Sequence, residues 1–317
     1  WNLVCFNNIY DFESINLALL FSKNFKKIKM NSIYKIPGYI LCLLGGFFLS
    51  WGGLIIRSFE TQDMWQILLI RSFFFVTTLI IFLVLTYGKN TTEIVKRSGF
   101  PAIVAGLFLS LSFVAYIAAM SMTTVANVVF IISTQTIFLA IFGYLFLKEK
   151  ISFKGFIAIF LALIGMIVMV GNSINQGTLL GNVISFAIPI NFTILVMIIR
   201  KFPELDMIPA IFYSGIFSGI YGLFLSSSLT FSMNDIIMGF LLGVPQLAFG
   251  FICVTIGTKT TQAVTVGLLM LLETIFAPIW VWIFLNEVPP LSVLIGGLII
   301  ISAVVLKSSD KSKEINT

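Results

Sequence analysis

The chain has 317 residues, 59% of them apolar and only 10% charged, with a mean hydropathy of +1.08 and a net charge of +6. Soluble domains run at roughly 45–50% apolar and 25% charged, so lipid is the solvent for most of this sequence, and a basic excess confined to loops and tails does not point to nucleic acid. Histidine is absent, which removes the commonest general base, metal ligand and proton relay together, and Cys5, Cys42 and Cys253 are too widely spaced for a disulfide framework or a metal-ligand set.

Residues 1–29 lack a basic stretch ahead of an apolar core and a small-residue cleavage site, so they do not read as a signal peptide. Met30 follows directly. The leader is expected to be either an over-extended or disordered segment ahead of the native start, or a basic amphipathic arm. Crossing the hydrocarbon core takes about 20 apolar residues with every backbone amide satisfied. Ten segments qualify, at 36–56, 66–87, 100–119, 124–147, 153–171, 178–199, 208–228, 235–257, 263–285 and 290–306. Pro37, Pro101, Pro209, Pro289 and Pro290 fall in or just before a first helical turn, where a missing N–H costs little. Pro189, Pro245 and Pro278 lie deeper, all in the second half, so three of its five spans are candidates for kinks, while the first half has no proline deep in any span.

The stretch Thr136 to Glu149 returns 138 residues later as Thr274 to Glu287, with seven of fourteen positions identical and no gap. The two copies close spans four and nine. An odd number of crossings between them turns the second copy upside down, the arrangement of many secondary transporters, whose substrate site lies near the midplane between the halves. The expected fold is therefore an all-α integral membrane protein of ten transmembrane helices, a five-plus-five inverted repeat with both termini cytoplasmic. Its parts are a leader at 1–35, a first repeat at 36–171, a second at 178–306 and a basic tail at 307–317. With the N-terminus inside, seventeen of the nineteen Lys and Arg residues fall on the cytoplasmic side, leaving Arg57 and Arg71 outside, as the positive-inside rule requires.

The Trp51-Gly52 pair, Arg71 early in span two, and the span ends Phe146-Leu147-Lys148-Glu149 and Phe284-Leu285-Asn286-Glu287 form a recognisable set. With Leu271-Leu272-Glu273-Thr274 inside span nine, the chain resembles the EamA-type transporters of the drug/metabolite transporter superfamily over nearly all of residues 36–306. The resemblance implies a carrier of small metabolites, commonly an exporter of amino acids or their derivatives, with a cavity lined by both halves. Span four departs from the pattern at Thr134-Gln135, where a small residue and a proline are more usual, which puts a proline kink there in doubt.

Glu273 is the sharpest candidate for a transport role, because an ionised side chain halfway along a span normally faces protein or a water-filled cavity. It reads as a substrate-amine ligand or a proton-coupling carboxylate, against the alternative of a hydrogen-bonded glutamate holding helices together. Its repeat counterpart is Gln135, the same shape without the charge. Thr123, Asn127, Thr134 and Gln135 share one face of span four; Thr265, Glu273, Phe276 and Trp280 share one of span nine. Thr123 and Thr134 read better as interhelical hydrogen-bonding groups. Asn191 and Gln246, beside Pro189 and Pro245, are placed to satisfy freed carbonyls or contact substrate. Trp51, Trp65 and Trp282 suit an interfacial belt, with Trp51 and Tyr116 as alternative stacking partners for a solute. Arg71 reads first as snorkelling or paired with Glu287, and second as a substrate contact. Glu149 and Glu287 read as helix-end anchors, and Gly215-xxx-Gly219 and Gly239-xxx-Gly243 as close-packing seams.

The reading is a secondary transporter working by alternating access, monomeric or homodimeric, in the lipid bilayer of a bacterial cytoplasmic membrane. It needs no cofactor and no metal, binds a small-molecule substrate and no nucleic acid, and is not an enzyme. A passive channel or a membrane interaction protein without transport activity is the alternative. Walker motifs are absent, so ATP does not drive it directly. In a cysteine-free background a cysteine at Asn175 should be labelled only from outside and one at Lys96 only from inside. Labelling of both from one side would rule out the ten-span topology.

Overall fold

The computed structural model describes residues 33–123, 125–170, 178–286 and 291–308, and among these every element is a helix. Asn175, Glu287, Pro289 and Pro290 lie outside the described residues. The first half runs α1 (Gly38–Leu49), α2 (Gly52–Arg57), α3 (Met64–Tyr87), α4 (Thr91–Met122), α5 (Val125–Ser133), α6 (Gln135–Leu147) and α7 (Phe153–Val170). The second runs α8 (Leu179–Ser185), α9 (Ala187–Lys201), α10 (Ile208–Leu225), α11 (Met233–Leu241), α12 (Phe249–Thr258), α13 (Ala263–Met270), α14 (Leu272–Leu285) and α15 (Leu291–Ser308). Seven stretches are long and apolar enough to cross a membrane, and two more, Phe153–Val168 and Leu291–Lys307, are shorter apolar helices. The 59-residue stretch Met64–Met122 is not one rod. Gly99, at φ 54° and ψ −151°, breaks α4 where a side chain would be strained, and Pro101 starts the rod beyond it.

Four apolar rods are interrupted midway. The breaks fall at Ser50–Trp51 between α1 and α2, at Thr134 between α5 and α6, at Phe186 between α8 and α9, and at Leu271 between α13 and α14. Proline accounts for only part of this. Pro189 sits in the first turn of α9, just past its break, and Pro245 lies in a π-helical turn, Leu242–Ala248, joining α11 to α12. Pro278 falls inside α14. The first half breaks without proline. There the hydroxyls of Ser50, Ser133 and Thr134 donate to the carbonyls of Phe47, Phe130 and Ile131 at 2.6, 2.5 and 2.6 Å, taking acceptors that helical amides would otherwise use.

The duplication is visible in the backbone. Lys148 and Asn286, 138 residues apart, are the two non-glycine residues with positive φ among those described, both at 55°, and each caps the C-terminus of its helix in the left-handed conformation. The halves interdigitate. α12 crosses α1, α10 lies against α3 and α4, and α15 packs along α7. The crossings are close enough to need glycine. A Cβ on Gly45 would come within 2.4 Å of Val254, and one on Gly165 within 2.8 Å of the Gly296 carbonyl. Gly215 and Gly219 close on the Ser72–Val76 turn of α3, and Gly239 and Gly243 on Ile70, Arg71 and Phe74 of the same helix.

Carboxylates fasten the loops at the end of the bundle reached by Arg57. Asp63 caps α3, its Oδ1 accepting the Trp65 amide at 2.8 Å, while its Oδ2 accepts the Ser227 amide and hydroxyl at 2.8 and 2.7 Å. Asp235 accepts the Glu60 amide at 2.8 Å. At the opposite, basic end Tyr34 donates to Asp206 at 3.1 Å and meets the Tyr87 hydroxyl at 2.6 Å; burial, then the Asp206 charge, raises the Tyr34 pKa above the ordinary phenol value. Partial burial works to raise the Asp63 carboxyl, but the hydrogen bonds from Ser227 and Trp65 outweigh it and hold its pKa below the ordinary value. A depressed folded-state pKa gives stability that is present above the unfolded value of about 3.9 and lost as pH falls through the folded one. Asp63→Ala should therefore cost about 1 kcal/mol at neutral pH, read as a lower Tm in detergent. The gap between variant and wild type should close as the pH falls below about 4.

Candidate functional site

The four breaks surround the middle of the bundle, where a cavity of about 70 Å³ lies between the halves, room for roughly two waters. Its polar lining comes from Arg71 of α3, Ser112 and Tyr116 of α4, Gln135 of α6, Gln246 of the π-helical turn and Glu273 of α14. Phe113, Phe192, Phe251 and Met270 supply the apolar walls. Gln135 and Glu273, equivalent by the repeat, each stand in the first turn after a break, where unpaired amides and the helix dipole favour negative charge.

Arg71 does not snorkel. It is 1% exposed, its guanidinium carbon sits 4.9 Å from the centre of the Phe113 ring, and its Nε and Nη2 have no hydrogen-bond partner among the described residues. Phe113 is held edge-on by Phe75 at 5.7 Å and Phe251 at 5.3 Å, so the face offered to Arg71 is fixed. The expected pairing partner, Glu287, is outside the described residues. Glu273 likewise has no ion pair or hydrogen bond to its carboxylate from any described residue. Gln246 donates Nε2 to the Leu49 carbonyl at 3.0 Å, a carbonyl freed by the break after α1, while its Oε1 is buried without a partner. The Tyr116 hydroxyl lies 2.6 Å from where a Cβ on Gly52 would be, so the glycine of the Trp-Gly pair makes room for it.

A second, larger cleft of about 520 Å³ opens beside this cavity at the Arg57 end, lined by Phe47, Phe48, Trp51, Leu54, Met238, Pro245 and Phe284, with Gln246 bordering both spaces. Trp51 rests on Trp280 with ring centres 4.5 Å apart, and Trp280 continues onto Phe276 at 6.1 Å.

Five of the nine residues expected at a site therefore meet in the central cavity: Arg71, Tyr116, Gln135, Gln246 and Glu273. Trp51 borders the cleft instead. Three lie elsewhere. Trp280 donates Nε1 to the Ser50 hydroxyl at 2.8 Å, supporting the break in the first rod. Asn127 joins Thr123 and Asn182 at 3.1 and 3.2 Å, a link between α5 and α8. Asn191 is buried on α9 and borders neither space. Thr123 fits its expected interhelical role, donating to Asn182 at 2.8 Å, whereas Thr134 bonds only within its own rod. The aromatic walls Phe113, Phe192 and Phe251 were not singled out by the sequence, since phenylalanines on lipid-facing and cavity-facing surfaces look alike there. Phe113 has a signal only in retrospect, one residue past Ser112, which donates to the Ile188 carbonyl at 3.2 Å.

The sequence pattern of the EamA-like transporter family matches residues 36–171 and again 179–309. The chain belongs to this family. It is similar to an uncharacterized transporter of Clostridium kluyveri, 24% identical over 295 residues, 86% of this chain and 94% of that one. An uncharacterized transporter of Methanothermobacter thermautotrophicus is 28% identical over 207 residues, 60% of this chain and 58% of that relative's length. One from Archaeoglobus fulgidus is 30% identical over 133 residues, 42% of this chain and 46% of that one. A crystal structure with 14% identity superposes at a TM-score of 0.73, covering 86% of this chain and 96% of that one, and so shares the fold. This EamA-like protein is thus an integral membrane protein of a transporter family.

A buried guanidinium whose only described contact is an aromatic face keeps most of its desolvation cost. Arg71→Met, which keeps the stem and deletes the charge, should fold and show a Tm equal to or above wild type, each kcal/mol gained appearing as about 2–4 °C. A Tm lower by more than that would show that the guanidinium is a structural tie.

Proposed function

We propose that this EamA-like protein is a secondary transporter that moves a small organic solute by alternating access, binding it in the central cavity between the two repeats. The observation that carries the reading is the presence of Arg71 and Glu273, a cation and a carboxylate each without an ion pair or hydrogen bond to the side chain from any described residue, in one cavity at the meeting of four interrupted rods. Buried charges are normally paired, and interrupted helices inside a membrane bundle are tolerated where they line a cavity. A solute carrying an anionic group and an amine together, such as an amino acid or a derivative, would satisfy both charges once the cavity, at about 70 Å³ too small for it in this conformation, widens into the adjoining cleft, with Gln246 Oε1 and the Tyr116 hydroxyl as further polar contacts. The aromatic walls suit an apolar body on that solute.

The topology that goes with this reading has ten crossings, with α7 and α15 as the fifth and tenth and the basic end facing the cytoplasm. Export from a bacterial cytoplasmic membrane is the corresponding direction and setting. Support comes from the charge separation between the two ends and from the repeat.

Counterflow in proteoliposomes separates a carrier from a passive pore, since only a carrier concentrates labelled solute against a gradient of unlabelled solute. Glu273→Gln makes the second repeat match the first at Gln135, preserving volume while deleting the charge. It should leave the protein folded and lower counterflow of an amine-bearing solute about tenfold, the equivalent of roughly 1.4 kcal/mol. Unchanged rate and affinity in that variant would sink the assignment of Glu273 to the solute.

A further inference from the structure

A second buried charge cluster lies at the basic end, away from the central cavity. Glu149, 7% exposed, directly follows the left-handed cap of α6 in the first repeat. Its Oε1 accepts Arg200 Nε at 2.5 Å and its Oε2 accepts the Ala263 amide, at the start of α13, at 2.9 Å. Arg200 Nη1 donates onward to the carbonyls of Thr258, at 3.2 Å, and Thr261. One carboxylate and one guanidinium thus join the end of α6 to α9, α12 and α13, across the boundary between the repeats.

The opposite end carries a related sequence. Ile198-Ile199-Arg200, followed by Phe202 and Glu204, recurs as Ile55-Ile56-Arg57, followed by Phe59 and Glu60. Thr260-Thr261 with Ala263 recurs as Thr123-Thr124 with Ala126. Arg57 is exposed and makes no ion pair or hydrogen bond with any described residue. Next to it the bundle holds the cleft of about 520 Å³, which Ser58 borders. The basic end is thus tied across the repeats by Glu149 and Arg200, while the repeat equivalent of Glu149 at the other end, Glu287, lies outside the described residues.

We propose that the Glu149–Arg200 pair is the gate at the basic end: it holds the cavity shut on that side and must part for the cavity to open there. The inference rests on the reading of the protein as an alternating-access carrier. A buried ion pair is suited to this because its charges are stabilised either together in a dry contact or apart in water, and are disfavoured in between. Opening the basic end hydrates both groups at the moment they separate.

The test places a single cysteine at Ile132, which lines the cavity, in a cysteine-free background and measures labelling by a membrane-impermeant maleimide from each side. Glu149→Gln and Arg200→Gln should each speed labelling from the basic end about tenfold, with no gain from the far end, and the exchanged pair Glu149→Arg with Arg200→Glu should restore slow labelling. Unchanged labelling in both single variants, or an equal gain from both sides, would overturn the gate. A second measurement leaves the ion pair intact. A Cβ on Gly143 would lie 3.2 Å from the Ala263 Cβ, near the roughly 3.5–4.5 Å that a disulfide spans. Oxidised Gly143→Cys/Ala263→Cys protein should lose counterflow and regain it on reduction, whereas full counterflow in the cross-linked state would overturn the proposal. Side-specific labelling gains in a protein that shows no counterflow with any solute would keep the gate and remove the carrier reading instead.

Discussion

Inside a bilayer no water is available for a stray amide or carbonyl, so each must be bonded within the chain. The rest of this structure depends on how that demand is met where the rods are interrupted. Leu49 shows the solution. Its carbonyl, released by the break after α1, accepts the Gln246 amide from the opposite repeat. The hydroxyls of Ser50 and Thr134 bond back into their own turns. Interruption is thus confined to the middle of the bundle, where the other half can supply a partner, and the cavity forms where the interruptions meet.

The same constraint explains why the two repeats diverge in chemistry while keeping their geometry. The left-handed caps at Lys148 and Asn286 agree in φ to the degree, and the breaks at Thr134 and Leu271 stand at matching places. At the first turn after those breaks one half presents Gln135 and the other Glu273. A duplicated backbone gives two similar helix starts facing one space, and a difference of one atom type between them makes that space electrically lopsided. Arg71, brought in from α3, completes the polarity.

Much of this was legible in the sequence and some was not, for identifiable reasons. The repeat Thr136 to Glu149 and Thr274 to Glu287 announced the duplication, and an acidic residue in a run as apolar as Leu271 to Ile279 pointed to the residue that lines the central cavity. The depth of Arg71 was misleading, because a position a turn and a half from a helix end permits snorkelling, and only the packing of Phe75, Phe113 and Phe251 shows that the side chain turns inward. Kinks were expected where proline stood. Serine and threonine produced them in the first half through bonds that leave no distinct mark in a sequence already rich in both. Faces were read by spacing alone, which does not show that Asn127 is taken up by Thr123 and Asn182 while Gln135 lines the cavity.

Gly52 sets a limit on how such a cavity can change. The space a methyl group would take there already holds the Tyr116 hydroxyl, with the Gln246 amide nitrogen 3.0 Å away. Enlarging that one position would push two polar lining groups inward together, into a space of about 70 Å³. Close-packed interiors transmit such displacements rather than absorb them. The shape of the cavity is therefore adjustable from a residue that does not line it, through the helix backbone of α2 and with every charged group left in place.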